Sequence, residues 1–363
     1  MAVNDYAVVV GISRYPELGN LQGPENDARA VAAWLRRPEA EGGGGVPADD
    51  AHLALILSGN FPATNKVLEA QPAVYHIEMA FDRLVDAGLA AGGRLGRRLT
   101  IYLAGHGFGP DIEEVALLMA NAGRRRMYHV PGRSYARWFR TAALFEEIVL
   151  WMDCCRDDYP RVPLHSPVWE DIRRPAAADV RTFFAFATKW SRKSREKPVS
   201  PNGPVQGVFT RVLLEALAQA APNPAGEITG TAVEEYIINR LPHLLTPEEY
   251  QEPRFEFDRR HDLVLATPPP PPDDLTLTMT EISALPETTP GHTPVRITVA
   301  PALVGRPVEL RGPDLTLLQR RVAGAEAWRL LLPTGLYLVQ APESGERQLF
   351  EALGQEAIDV HLA

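Results

Sequence analysis

Ile148-Val149-Leu150-Trp151-Met152-Asp153-Cys154-Cys155-Arg156 sets the frame for the whole chain. Five apolar residues run straight into an acid, two cysteines and an arginine, the pattern of a strand buried on both faces whose polar end does chemistry. The chain holds 2 cysteines, and here they are neighbours. Adjacent cysteines rarely pair with each other and two thiolates do not complete a zinc site, so neither a disulfide framework nor a structural metal is expected. Two readings remain: a small buried hydrophobe, or a nucleophile.

A second stretch bears on that choice. Leu99-Thr100-Ile101-Tyr102-Leu103-Ala104-Gly105-His106-Gly107-Phe108-Gly109 is another β-rich run, and it ends in a histidine bracketed by glycines, 49 residues before Cys155. Alone, His106 reads as a turn histidine whose glycines supply backbone freedom. With Cys155-Arg156 downstream, the spacing resembles the caspase pattern of a histidine about 50 residues before a Cys-Arg nucleophile.

In these residues the chain resembles the caspase and metacaspase superfamily, over about its first 265 residues. Tyr6 to Tyr15 followed by Leu21-Gln22-Gly23-Pro24-Glu25-Asn26-Asp27-Ala28 is similar to the family's first strand and Asn-Asp-Ala helix start. Gly105-His106-Gly107 and Asp153-Cys154-Cys155 resemble its histidine and cysteine motifs. Glu196, Gly207-Val208-Phe209-Thr210 and Leu213-Leu214-Glu215-Ala216-Leu217 resemble the late helix of bacterial members. There are departures. Arg156 stands where metacaspases carry His, Asp157-Asp158 replaces small residues, and Ala104 stands where many metacaspases have Ser.

The resemblance implies a cysteine endopeptidase in which Cys155 attacks, His106 protonates the leaving amine, and the N–H groups of Gly107 and Cys155 form the oxyanion hole. Cys154 is then the core cysteine, because neighbours on a strand face opposite ways. Asp153, two residues before Cys155, shares its face and lines the pocket, and Asp27 matches a second acidic pocket residue by its Asn-Asp-Ala context. Two carboxylates suit arginine or lysine in the substrate. Asp27 also reads as a helix cap, and Asp153 as a ligand for backbone amides. Arg156 and Arg29 leave an aspartate-directed pocket as the runner-up, and a catalytically silent scaffold is the alternative from another class. In the resembled family the stretch 157–180 separates two subunits. With basic specificity, Arg161, Arg173, Arg174, Arg192 and Arg195 are self-cleavage candidates, Pro175 disfavouring the bond after Arg174. Bacterial members of such a family serve stress response, controlled cell death or defence against phage. No cofactor or metal is expected, calcium activation being left open.

The remaining chain fits an α/β fold with a mostly parallel sheet flanked by helices. Hydrophobic residues make up 45% and charged residues 23%, with a formal net charge of −9, which argues against nucleic acid as the main partner. No apolar run reaches the ~18 residues of a membrane span and the N-terminus lacks the marks of a signal peptide, so a cytoplasmic location is expected. Helices are expected over 64–90, at Phe139 to Glu147, and over 208–220 and 231–241. Gly42 to Gly45 reads as a flexible linker, Arg124-Arg125-Arg126 as a solvated loop, and 191–207 as a mobile loop. The domains expected are 1–266, a Pro-rich linker at 267–273 and a small β-sandwich at 274–363. In the last, alternating pairs such as Leu275-Leu277-Met279, Val295-Ile297-Val299 and Leu336-Leu338 suggest antiparallel strands. That domain reads as a stabilising appendage or as the binding module for an activating protein.

Overall fold

The computed structural model describes residues 5–155, 157–158, 162–189, 194–199, 203–268, 292–312, 317–324, 327–342, 344–353 and 358–362. The chain divides into two compact units, Met1–Pro269 and Pro270–Ala363. The first runs β1 (Tyr6–Gly11), α1 (Pro24–Arg36), β2 (Leu53–Leu57), α2 (Val74–Ala90), β3 (Gly96–Gly105), β4 (Gly107–Gly109), β5 (Ala116–Leu118), β6 (His129–Pro131), α3 (Gly132–Ala142) and β7 (Phe145–Cys154). It continues with β8 (Asp157–Asp158), β9 (Arg181–Phe186), β10 (Glu196–Pro198), β11 (Val205–Gly207), α4 (Val208–Gln219), β12 (Ile228–Thr229), α5 (Gly230–Arg240), β13 (Arg254–Phe257) and β14 (Val264–Ala266).

Six of these strands form one sheet in the order β13-β9-β7-β3-β1-β2. Five are parallel, and only the edge strand β13 runs antiparallel. The near-continuous apolar runs are explained by helices on both faces. Ile148, Leu150 and Met152 of β7 enter a core with Ile77, Phe81 and Leu84 of α2 and Phe139 of α3. Val149 and Trp151 point the other way, to Val31 of α1 and Phe209 and Val212 of α4. Strand order reverses between β1 and β3, and such a switch point opens a crevice beyond the carboxyl ends of the strands.

Several local expectations are corrected. The helix before β7 ends at Ala142, where Ala143 adopts a left-handed φ of 49°, and Phe145 to Glu147 already belong to the strand. The Gly42–Gly45 run is no flexible linker. Its amides bond back to Glu39, Pro38, Trp34 and Arg37, and a Cβ on Gly43 would meet the Arg37 carbonyl oxygen at 2.2 Å, so glycine is needed for close approach to the end of α1. Within 191–207, β10 and β11 pair as an antiparallel hairpin. Arg124, Arg125 and Arg126 are exposed, as the solvated reading has it.

The second unit contains β15 (His292–Val299), β16 (Pro307–Arg311), β17 (Leu317–Val322), β18 (Trp328–Pro333), β19 (Gly335–Ala341), β20 (Glu346–Ala352) and β21 (Ile358–Leu362). They form sheets β18-β15-β21 and β17-β16-β19-β20, whose inward residues, among them Ile297, Leu310, Val339 and Val360, share one core. One pairing departs from the antiparallel expectation: β21 lies parallel to β15. Leu275, Leu277 and Met279 lie outside the described residues. Among the described residues no helix is long and apolar enough to cross a membrane.

Candidate active site

Alternation along the two central strands decides which side chains meet. In the β3–β7 register Ala104 pairs with Asp153 and Gly105 with Cys154, so His106 and Cys155 are the residues that directly follow the last pair. Neighbouring strands lie ~4.8 Å apart. Tyr102 and Ala104 face α1 and α4, as do Val149 and Trp151, so by parity Asp153 belongs to that same face, whereas His106 follows Gly105, whose φ of +153° ends the strand, and packs on Tyr15. Cys154 turns into the opposite core at 2% exposure, whereas Cys155 is half-buried. The Cys155 thiol lies 3.9 Å from the carbonyl oxygen of Ser194.

His106 is oriented by the loop after β1. Its Nε2 lies 2.9 Å from the Gly19 carbonyl oxygen. A carbonyl only accepts, so Nε2 carries a hydrogen, and in the neutral ring the lone pair is on Nδ1. Its backbone N–H donates to the Tyr15 hydroxyl at 3.0 Å, that hydroxyl donates to the Leu118 carbonyl, and the two rings pack edge to face at 4.7 Å. Burial pushes the Tyr15 phenol well up, so it stays a donor. Gly105 is required beneath this contact, with φ +153° and a Tyr15 oxygen 2.3 Å from where a Cβ would stand. Gly107 fits as closely: a Cβ there would meet the Cys155 carbonyl oxygen at 2.7 Å.

Asp27 and Asp153 converge on the start of α4. Both oxygens of Asp27 accept from the Gly207 N–H, at 3.0 and 2.9 Å. Asp153 accepts from the Thr210 N–H at 3.1 Å and the Thr210 hydroxyl at 2.7 Å, while Tyr102 donates to that hydroxyl. Between them the Val208 N–H donates to the Arg195 carbonyl. The amides of Gly207, Val208 and Thr210 thus find acceptors from three other segments, and two of these acceptors are carboxylates, favoured by the helix dipole. Asp27 therefore caps a helix, but α4 and not its own α1, whose cap is Gly23. A Cβ on Gly207 would stand 2.1 Å from an Asp153 oxygen.

Burial raises Asp27 well above the usual carboxylate range, the nearby Asp153 adds to this, and the Gly207 N–H opposes it. Burial also raises Asp153, against hydroxyls of Ser194 and Thr210 that favour its ionised form. Glu196 is the third acid here. Its pKa too is raised by burial, opposed by the Gln22 and Gly23 amides, with Asp153 adding a further push. The register of β10 against β11 puts Glu196 opposite Gly207. Glu196 has a place in the family-like late motif, yet nothing in its local pattern marks it as a neighbour of Asp153. Ser194 and Gln251, which complete the surroundings, sit in irregular segments with no periodic signal. Arg29 pairs with Glu25 on the exposed side of α1, and Arg156 lies outside the described residues.

No family model and no curated protein matches the chain. Among solved structures it is similar to a crystal structure of caspase-1 from Spodoptera frugiperda, with 13% identity and a TM-score of 0.44, over 70% of this chain and 86% of that one. It is likewise similar to a structure of pro-sf-caspase-1, with 14% identity and a TM-score of 0.39, over 70% of this chain and 91% of that one.

Proposed function

We propose that the chain is a caspase-like cysteine endopeptidase that cuts proteins after arginine or lysine. The observation that supports this reading is that His106 and Cys155 directly follow the paired ends of the adjacent strands β3 and β7, with Nε2 of His106 committed to the Gly19 carbonyl. Nδ1 is then the base. It takes the Cys155 proton, the thiolate attacks the scissile carbonyl, and the resulting imidazolium returns the proton to the leaving amine. Water, deprotonated by His106, then hydrolyses the acyl-enzyme. The N–H groups of Gly107 and Cys155 are assigned to the oxyanion, each such donor being worth about 3 kcal/mol in the transition state.

Asp153, Asp27 and Glu196 gather as acids, and a basic side chain favours their ionised forms and pairs with them, whereas an acidic one is repelled. At an effective dielectric of 20 each close pair has a Coulomb term of ~4 kcal/mol, reduced by desolvation. On this reading the reaction needs no cofactor. The protein acts in the cytoplasm, in a bacterial stress, cell-death or anti-phage setting, and the C-terminal sheets receive an activating protein.

Fluorogenic peptides ending in Arg, Lys or Asp provide the test. Arg and Lys peptides are cut, the Asp peptide is not, and Asp153→Ala loses the preference. Cys155→Ala and His106→Ala each lower turnover by at least ~1,000-fold. Cys154→Ala keeps most activity and costs roughly 1 kcal/mol of stability, the worth of one small buried group. Preferred cleavage after Asp overturns the acidic pocket. A Cys155 that no thiol probe labels, in a protein that cuts no peptide, makes it a scaffold.

A further inference from the structure

Ser194 touches both the nucleophile and the pocket acid. Its carbonyl oxygen lies 3.9 Å from the Cys155 thiol, and its hydroxyl donates to an Asp153 oxygen at 2.5 Å. The chain at this point is not a strand. It is held by a side chain from elsewhere: Gln251 accepts from the Arg195 N–H at 3.0 Å, and its amide nitrogen donates to the Ala187 carbonyl at 2.9 Å and to the Ser194 hydroxyl at 3.4 Å. Gln251 is 4% exposed. A primary amide has one acceptor oxygen and two N–H donors, and here both ends are used, which offsets the cost of burying it. Its own main chain is fixed next door, where the Lys189 N–H donates to the Glu252 carbonyl at 2.8 Å. Gln251 thus ties the exit of β9 to the segment that leads into β10.

We propose that Gln251 and Ser194 are positioning residues: Gln251 pins the main chain at 194–195, and Ser194 then presents its carbonyl to the Cys155 thiol and its hydroxyl to Asp153. This rests on the peptidase reading for its role in turnover, though not for its effect on the thiol. The two contacts act with opposite signs. A carbonyl accepts a hydrogen from S–H and nothing from a thiolate, so it favours the protonated resting nucleophile. A hydroxyl donor favours the ionised acid, the form that pairs with a basic substrate side chain. The titratable groups in this corner are Tyr15, which feels Cys155 and Glu196 and packs on His106, and Asp153, which acts on Glu196 and Asp27.

The test uses the full chain with Ser194→Ala, Gln251→Met and Gln251→Ala. Its readouts are KM and kcat for an Arg peptide, the pH dependence of Cys155 alkylation by iodoacetamide followed by mass spectrometry, and thermal unfolding. Ser194→Ala removes the hydroxyl and keeps the carbonyl, so KM rises about fivefold while the alkylation midpoint stays in place. Both Gln251 variants release the segment, so KM rises at least as much and the midpoint falls by about half a pH unit, the worth of one weak hydrogen bond. Folded Gln251 variants with the wild-type midpoint overturn the proposal, as does a midpoint that moves in Ser194→Ala. Gln251 variants that both lose cooperative unfolding assign the residue a structural role and overturn it too. A shifted midpoint in a protein that cuts no peptide keeps the positioning and removes the peptidase reading.

Discussion

Asp27 and Asp153 each bind an amide of α4, and that shared task puts two carboxyl groups in one buried place. Because burial and mutual repulsion raise Asp27, the folded chain keeps a proton there at pH values where the unfolded chain has released it. The folded state then binds more protons, so stability falls as pH rises from the unfolded carboxylate value, roughly 3.9, through the folded one. Below the unfolded value both states are protonated and the effect vanishes. Asparagine at position 27 does not titrate. The stability of wild type relative to Asp27→Asn should therefore shrink steadily as pH rises, read by urea denaturation over about pH 4 to 8. A difference that stays constant or grows with pH contradicts the raised carboxyl. At this scale strand parity and motif context single out Cys155, His106 and both aspartates as candidates. The sequence did not display the partner of Asp27, because a contact 180 residues away leaves no local trace. Glu196, Ser194 and Gln251 were hidden for the same reason.

At the scale of elements, period and apolar runs revealed the central strands, α2, α4 and α5, since burial on one or both faces writes itself into spacing. Boundaries set by a single backbone conformation were not legible. Ala143 ends α3 in a left-handed turn, although alanine carries no turn signal, and Gly42–Gly45 packs against α1 although glycine runs usually read as linker. The segment between β8 and β9 shows how local structure bears on processing. Arg173 has 81% of its side chain exposed and, among the described residues, pairs with Asp171 two residues away. Arg174 donates its amide to the Thr141 carbonyl and lays its guanidinium against Gly93. Arg195 has its amide held by Gln251. A protease must draw the bond it cuts into an extended strand, which costs least where the main chain is not already bonded. Arg161 and Arg192 lie outside the described residues. Among the other three, Pro175 disfavours the bond after Arg174 and the Arg195 carbonyl is held by the Val208 N–H, so self-cleavage should fall after Arg173, where the one main-chain bond to give up is that from the Arg174 N–H to Thr141. N-terminal sequencing of fragments present in wild type and absent in Cys155→Ala checks this, and Arg173→Gln should remove that fragment. A first cut after Arg195 contradicts it.

For the whole molecule, the two units have separate cores. The sheet of the first unit is packed by its own helices on both faces, and the seven strands of the second enclose a core built from residues beyond 292. The chain divides inside the run Pro268 to Pro272. His106, Cys155, Asp27, Asp153, Ser194 and Gln251 all belong to the first unit. Apolar burial within a unit drives its folding, so residues 1–267 retain what they need to fold alone and to hold His106 and Cys155. Truncation at 267 should therefore give a cooperatively unfolding protein whose kcat/KM on an Arg peptide stays within about threefold of the full chain, a change of under 1 kcal/mol in transition-state binding. What the truncation should lose is recruitment or activation through the second unit, seen as cleavage of a protein substrate that no longer responds to the activating partner. A truncated protein that folds cooperatively and hydrolyses nothing would show that the C-terminal sheets complete the active site, and the division of labour drawn here would fail.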